Sequence, residues 1–205
     1  IEGWSFNFAF GLVAASDEAV KILEISSWGP LAFGDSYGHF QDAENLVITA
    51  TDTPDLSGTD SLWVSFLNCS SLTVVPNMGT WDTSGVQRTD SAFQGATSFN
   101  TDIGDWDTSS VVRMDSMFRG AAAFDQDLGE WDISSLVRAP NLFLQAGLSR
   151  SNYDSMLIGW EAQDVNSNVS FHGGTAQYSA GAASEARQRL IDDHSWSIND
   201  AGQAD

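Results

Sequence analysis

The sequence predicts an α/β solenoid of about five coils of ~25 residues each, with a cap at each end. Three observations support this fold class: a 25-residue block recurs without gaps, large and small apolar residues recur in step with it, and each copy combines a short helical pattern with turn-forming residues. The chain has 205 residues, of which 42% are hydrophobic. It is therefore long enough to bury the core of one domain.

The recurrent block is clearest in the middle of the chain. Residues 81–105 and 106–130 are identical at 14 of 25 aligned positions, with no gap. A third copy begins at Trp131 and diverges after Gly147, and two weaker copies begin at Trp28 and Pro54. Five copies are therefore predicted.

A large aromatic residue and a small residue recur together through all five copies. The large ones are Phe40, Phe66, Phe93, Phe118 and Phe143, and the small ones, three places later, are Ala43, Cys69, Ala96, Ala121 and Ala146. Because a buried ring needs a small side chain opposite it, the phenylalanines are predicted to form one buried column. Cys69 is interpreted as a small buried apolar residue rather than a reactive thiol.

Each copy also carries a local pattern. Val111, Met114, Met117 and Phe118 have the spacing of one face of a short helix. Residues 99–106 mix apolar residues with turn formers, which indicates a brief strand and a corner. One helix and one short strand per copy predict a solenoid of the leucine-rich-repeat kind.

The regions flanking the coils are predicted to cap them. Residues 1–27 are assigned to the N-terminal cap, 28–150 to the coils and 151–205 to the C-terminal cap, all within a single domain. In the C-terminal cap, Tyr153, Leu157 and Trp160 fit one helix face, residues 169–171 a strand and residues 183–192 a second helix. The two ends of the sequence indicate that it is part of a longer chain.

Charge and motifs argue against several functions. The formal net charge is −20 at pH 7, which disfavours nucleic acid and anionic lipid as partners. No apolar run approaches the length of a membrane span, so no direct membrane insertion is predicted. His39, His172 and His194 lack metal-ligand spacing, and no nucleophile or phosphate-loop motif occurs. The chain is therefore interpreted as non-enzymatic, with a hydrolase on the repeat scaffold as the weakest alternative.

Charged residues recur with the period of the repeat. Asp82, Asp107 and Asp132 are interpreted as turn residues that accept backbone N–H groups. Further acidic columns, Asp102 with Asp127 and Asp105 with Glu130, leave Ca²⁺ as an alternative, although no calcium-binding motif supports it. No cofactor is predicted. Arg88, Arg113 and Arg138 are expected to bridge acids of neighbouring copies.

One position departs from the repeat toward aromatic residues. The tenth residue is Tyr37 in the first copy and Trp63 in the second, whereas the later copies have polar residues at or next to this position: Asp90, Asp115 and Asn141. Neighbouring aromatic residues near a surface suit stacking on a sugar or gripping a peptide. Tyr37 and Trp63 are therefore the predicted ligand-binding residues. The alternative is that both pack beneath the N-terminal cap.

The repeat block resembles a known family. Its carrying motif is the Trp-Asp-(Thr/Ile)-Ser-Ser-Val…Met-x-x-Met-Phe-x-Gly-Ala…Phe-(Asn/Asp)-x-Asp-(Ile/Leu)-Gly block at 81–131, and it is similar to the BspA-like repeats of bacterial surface proteins. The resemblance implies an extracellular, cell-surface location and a role in adhesion, with no catalytic residues and no defined ligand. The predicted function is a binding module of a bacterial adhesin for a protein, peptide or glycan. The alternative is a rigid spacer within a large surface protein.

Overall fold

The computed structural model describes residues 22–34 and 37–205. Its elements are β1 (Glu24–Ile25), β2 (Val47–Ile48), a 3₁₀ turn (Met78–Thr80), α1 (Arg150–Glu161), β3 (Ser170–His172), α2 (Ala182–Asp192) and β4 (Ser197–Asn199). β1 pairs in parallel with β2, and β3 in parallel with β4. Most of the predicted N-terminal cap, residues 1–21, lies outside the described residues.

The predicted fold class, an α/β leucine-rich-repeat-like solenoid, is wrong. Within the described residues the two α-helices lie at the C-terminal end, and the strands are two or three residues long and form two sheets of two strands each. The predicted helix around 111–118 is a series of turns, and the stretch 99–106 contains no strand.

Left-handed backbone conformations explain why no helix forms there. Ser91, Ser116 and Asn141 have φ values of 53°, 57° and 58° in the middle of the segments predicted to be helical. A helix cannot pass through such a residue, because its backbone hydrogen bonds require negative φ throughout. The local bonds instead span three residues, as from the N–H of Met117 to the carbonyl of Met114.

Other N–H groups in and beside these segments donate to carbonyls of a neighbouring copy, and one series of them runs to the next copy along the chain. Phe66 N–H donates to the Ala92 carbonyl at 2.8 Å, Phe93 N–H to the Met117 carbonyl at 2.9 Å, and Phe118 N–H to the Leu142 carbonyl at 3.0 Å. Single parallel bridges join Ser61 to Arg88, Arg88 to Arg113, and Arg113 to Arg138. Neighbouring copies are thus held in register by backbone bonds, which satisfies buried N–H groups without helices.

The aromatic column is confirmed. All five phenylalanines are buried, and the last four are fully buried. Successive ring centroids are 5.4, 5.4, 5.8 and 5.5 Å apart along the series Phe40, Phe66, Phe93, Phe118 and Phe143. Two tryptophans beside it bond along the same direction: the indole N–H of Trp106 donates to the Met78 carbonyl at 2.8 Å, and that of Trp131 to the Ile103 carbonyl at 3.0 Å, each 28 residues earlier.

The C-terminal segment agrees with its predicted elements. The Ser149 hydroxyl accepts the N–H of Asn152 and caps α1, whose buried face includes the predicted Tyr153, Leu157 and Trp160. Trp160 and Trp196 are both buried. The Tyr153 hydroxyl donates to the Asp200 carboxylate at 2.6 Å. Burial raises the pKa of this tyrosine, and the hydrogen bond to Asp200 raises it further.

No helix in the described part of the chain is both long and apolar enough to cross a membrane.

Candidate functional site

Backbone hydrogen bonds place Tyr37 and Trp63 at equivalent positions of adjacent copies. The N–H of Gly38 donates to the Trp63 carbonyl at 3.0 Å, and the N–H of Val64 donates to the Asp90 carbonyl at 3.0 Å. The series continues through Asp115. It ends at Pro140, whose carbonyl accepts from Ser116. The polar residue expected near this position in the last copy, Asn141, is therefore displaced by one residue.

The two predicted ligand-binding residues are in contact with each other. The ring centroids of Tyr37 and Trp63 are 4.7 Å apart, with 38° between the ring planes. Tyr37 is 49% exposed, and Trp63 is half-buried. Two large aromatic side chains are therefore brought together at the surface, as the sequence predicted.

A third residue, which the sequence prediction missed, extends the pair. The guanidinium carbon of Arg88 lies 5.2 Å from the centre of the Trp63 ring, a cation–π distance. Trp63 belongs to the copy between those of Tyr37 and Arg88, so the three planar groups follow one another along the repeat. We call Tyr37, Trp63 and Arg88 the aromatic–arginine row.

In the later copies, the arginines equivalent to Arg88 form ion pairs with acidic residues. Arg113 contacts Asp90 of the preceding copy at 3.3 Å and Asp115 of its own copy at 3.1 Å. Arg138 contacts Asp115 of the preceding copy at 2.8 Å. These contacts confirm the predicted bridges of Arg113 and Arg138, whereas the prediction is wrong for Arg88, whose ion pair is with Asp90 of its own copy. An arginine at this position therefore normally faces an acid of the preceding copy.

Arg88 has no such acid, because Trp63 occupies its place. Its Nε donates to Asp90 of its own copy at 3.0 Å, and no described residue accepts a hydrogen bond from its two terminal nitrogens. Its side chain is 38% exposed. The indole N–H of Trp63 also lacks a partner among the described residues, but it is not one of the buried unpaired atoms. The row thus presents to solvent hydrogen-bond donors that no described residue uses.

A half-buried histidine, His39, lies two residues after Tyr37. The two ring nitrogens of His39 lie 3.0 Å from the Ser65 hydroxyl and 3.1 Å from the Phe33 carbonyl oxygen. Its ring packs on Phe33 with centroids 4.3 Å apart. Burial lowers the pKa of His39 despite the opposing effect of the bond to Phe33. These contacts hold the His39 side chain, two residues after Tyr37, against Phe33 and Ser65.

The other chemical groups singled out from the sequence have structural roles. Carboxylates accept backbone N–H groups two residues later at Asp82, Asp107 and Asp132, which confirms the turn interpretation. Cys69 is buried, its Sγ donates to the Phe40 carbonyl, and burial raises the pKa of its thiol to about 12. The described residues contain no group of three His, Cys, Asp or Glu side chains arranged to hold a metal ion.

Comparison with known proteins places the chain in one family. Residues 60–182, more than half of the chain, match the family described as "Mycoplasma protein of unknown function, DUF285". The matched region includes Trp63 and Arg88, and Tyr37 precedes it. No curated protein and no solved structure matches significantly. The chain therefore belongs to the DUF285 family.

Proposed function

We propose that this chain is a non-enzymatic, extracellular binding module of a bacterial cell-surface adhesin, and that the aromatic–arginine row is its contact surface. The observation that carries the proposal is the break in the repeat at Trp63, which leaves Arg88 without the acid that Arg113 and Arg138 each have in the preceding copy. Departures from a repeat are where repeat proteins carry specific recognition.

The chemistry of the row suits binding. Two aromatic side chains give a large contact area for little loss of rotamer entropy, and arginine and tryptophan are the residue types most enriched among energetically important contacts. The resemblance of residues 81–131 to BspA-like repeats supports a location at the cell surface.

A rigid spacer is the alternative, and the continuous phenylalanine column suits both functions. Such a column stiffens the chain whether or not it binds anything. The two functions differ in one testable respect. A spacer tolerates changes to the row without loss of function, and a binding module does not.

The proposal predicts that Tyr37→Ala/Trp63→Asp abolishes binding while leaving the fold intact. Tyr37 is half-exposed, and an aspartate at position 63 gives Arg88 the same pair of acids that Arg113 has. The isolated module and the variant are compared for retention on immobilised cells and on glycan and peptide arrays. We expect the melting temperature to change by only a few degrees and retention to fall to background.

The matched control is Arg138→Gln, which removes a similarly exposed charge from the same arginine series away from the row. It should be retained like the wild type. Normal melting with full retention of the Tyr37→Ala/Trp63→Asp variant would rule the row out as the contact surface. Loss of cooperative melting would instead show that the aromatic pair belongs to the core.

A further inference from the structure

We infer that the aromatic–arginine row recognises a sugar that bears a single carboxylate, carried on a glycan. This inference rests on the proposed binding function and names its ligand class. It starts from the donors of the row: the terminal nitrogens of Arg88 and the indole N–H of Trp63, none of which has an acceptor among the described residues. Donors without acceptors select a ligand rich in acceptors.

The geometry of Arg88 specifies the charged group. A guanidinium presents parallel N–H groups that match the two oxygens of a carboxylate. Asp90 already uses Nε of Arg88, and Asp90 is itself buried between Arg88 and Arg113. The terminal nitrogens therefore remain for a carboxylate of the ligand.

The aromatic pair indicates which kind of ring the ligand contains. The surface of Tyr37 and Trp63 beside Arg88 offers apolar contact together with a phenol hydroxyl and an indole N–H. A pyranose ring presents C–H groups on its faces and hydroxyl groups at its edge, so it can satisfy both kinds of surface. A sugar acid thus matches the row with its ring on the aromatic pair and its carboxylate on Arg88.

Charge limits the ligand to one carboxylate. The protein carries a formal net charge of −20, so a densely charged polyanion is repelled. At physiological salt this repulsion is screened beyond about 8 Å, so a single carboxylate in contact with Arg88 interacts mainly with the charges beside it, Arg88 and its partner Asp90. A cationic ligand is disfavoured at the row because the positive charge of Arg88 repels it.

The experiment is a calorimetric titration of the module with sialyllactose, a disaccharide ending in glucuronic acid, neutral lactose, and a short peptide containing one glutamate. We expect one or both sugar acids to bind about tenfold more tightly than lactose and the peptide. A hydrogen bond to a charged group contributes enough free energy for a difference of this size. Arg88→Gln should abolish that preference. The matched variant Arg138→Gln should keep the preference for a sugar acid, because Arg138 lies outside the row and is paired with Asp115 in the wild type.

The outcomes separate this inference from the proposed function. Absence of any preference for a sugar acid, equal binding of the acidic peptide, or an unchanged preference in Arg88→Gln would overturn the inference. If Tyr37→Ala/Trp63→Asp still lost retention on cells in that case, the proposed function would stand with another ligand. A sugar-acid preference that survives in Tyr37→Ala/Trp63→Asp would overturn both.

Discussion

Replacing Phe118 with alanine is expected to lower the free energy of unfolding by about 3–5 kcal/mol. The side chain is fully buried, and its ring centroid lies 5.8 Å from that of Phe93, 5.5 Å from that of Phe143 and 3.9 Å from that of Phe124. Backbone hydrogen bonds hold the neighbouring copies in register on both sides. The cavity left by the ring therefore cannot close by collapse. Chemical denaturation monitored by tryptophan fluorescence measures the effect.

The control for this variant is Val137→Ala. Val137 is an apolar residue of the following copy and is 57% exposed, so its truncation should change the free energy of unfolding by less than about 0.5 kcal/mol. A Phe118→Ala effect as small as that of Val137→Ala would show that the aromatic column does not stabilise the repeats.

Deleting residues 151–205 is expected to make the protein aggregate or lose its cooperative melting transition. β3 continues the bonding pattern of the repeats: Ala139 forms a parallel bridge with Phe171, and the N–H of Phe143 donates to the His172 carbonyl at 3.0 Å. Without the segment, the buried ring of Phe143 and a row of backbone N–H groups face solvent. Exposed apolar surface and unpaired edges promote association.

Size-exclusion chromatography and thermal melting of the truncated chain measure this effect. A soluble monomer with the same melting temperature and cooperativity as the full chain would contradict the expectation. It would show that residues 151–205 do not share the core of the repeats.

The repeat period made long-range features predictable from the sequence. Residues about 25 apart were expected to lie next to each other, and this holds for the phenylalanine column and for the Arg88, Arg113 and Arg138 series. The turn role of Asp107 was predictable because an aspartate followed two residues later by a serine favours such a turn. Periodicity identifies neighbours whatever the local backbone conformation is.

The local backbone conformation was not predictable in the same way. Apolar residues at the spacing of Val111, Met114, Met117 and Phe118 fit a helix face, but two successive tight turns place the same side chains inward. The deciding feature is the positive φ of Ser116, and a serine gives no sign of it in the sequence. Glycine at that position would have indicated a turn.

One part of the candidate site, the aromatic pair, could be predicted from the sequence, and the other part, Arg88, was missed. The departure from the repeat at Tyr37 and Trp63 indicated a surface aromatic pair, and the two rings are in contact. The position of Arg88 over Trp63 was missed, although the sequence contained a signal for it. Arg113 and Arg138 each follow a copy whose tenth residue is an acid, Asp90 and Asp115, whereas the tenth residue of the copy before Arg88 is Trp63.

The most direct test of the account is nuclear magnetic resonance of the tryptophan indole groups in a ¹⁵N-labelled module, during titration with the ligand that retains it. The indole N–H of Trp106, Trp131, Trp160 and Trp196 donates to a backbone carbonyl, whereas that of Trp63 has no partner among the described residues. The indole signal of Trp63 is assigned from its loss in a Trp63→Phe variant. Its chemical shift should change until the ligand saturates the module, while the shifts of the other four signals stay constant. Saturable binding that leaves the Trp63 signal unmoved would contradict the account.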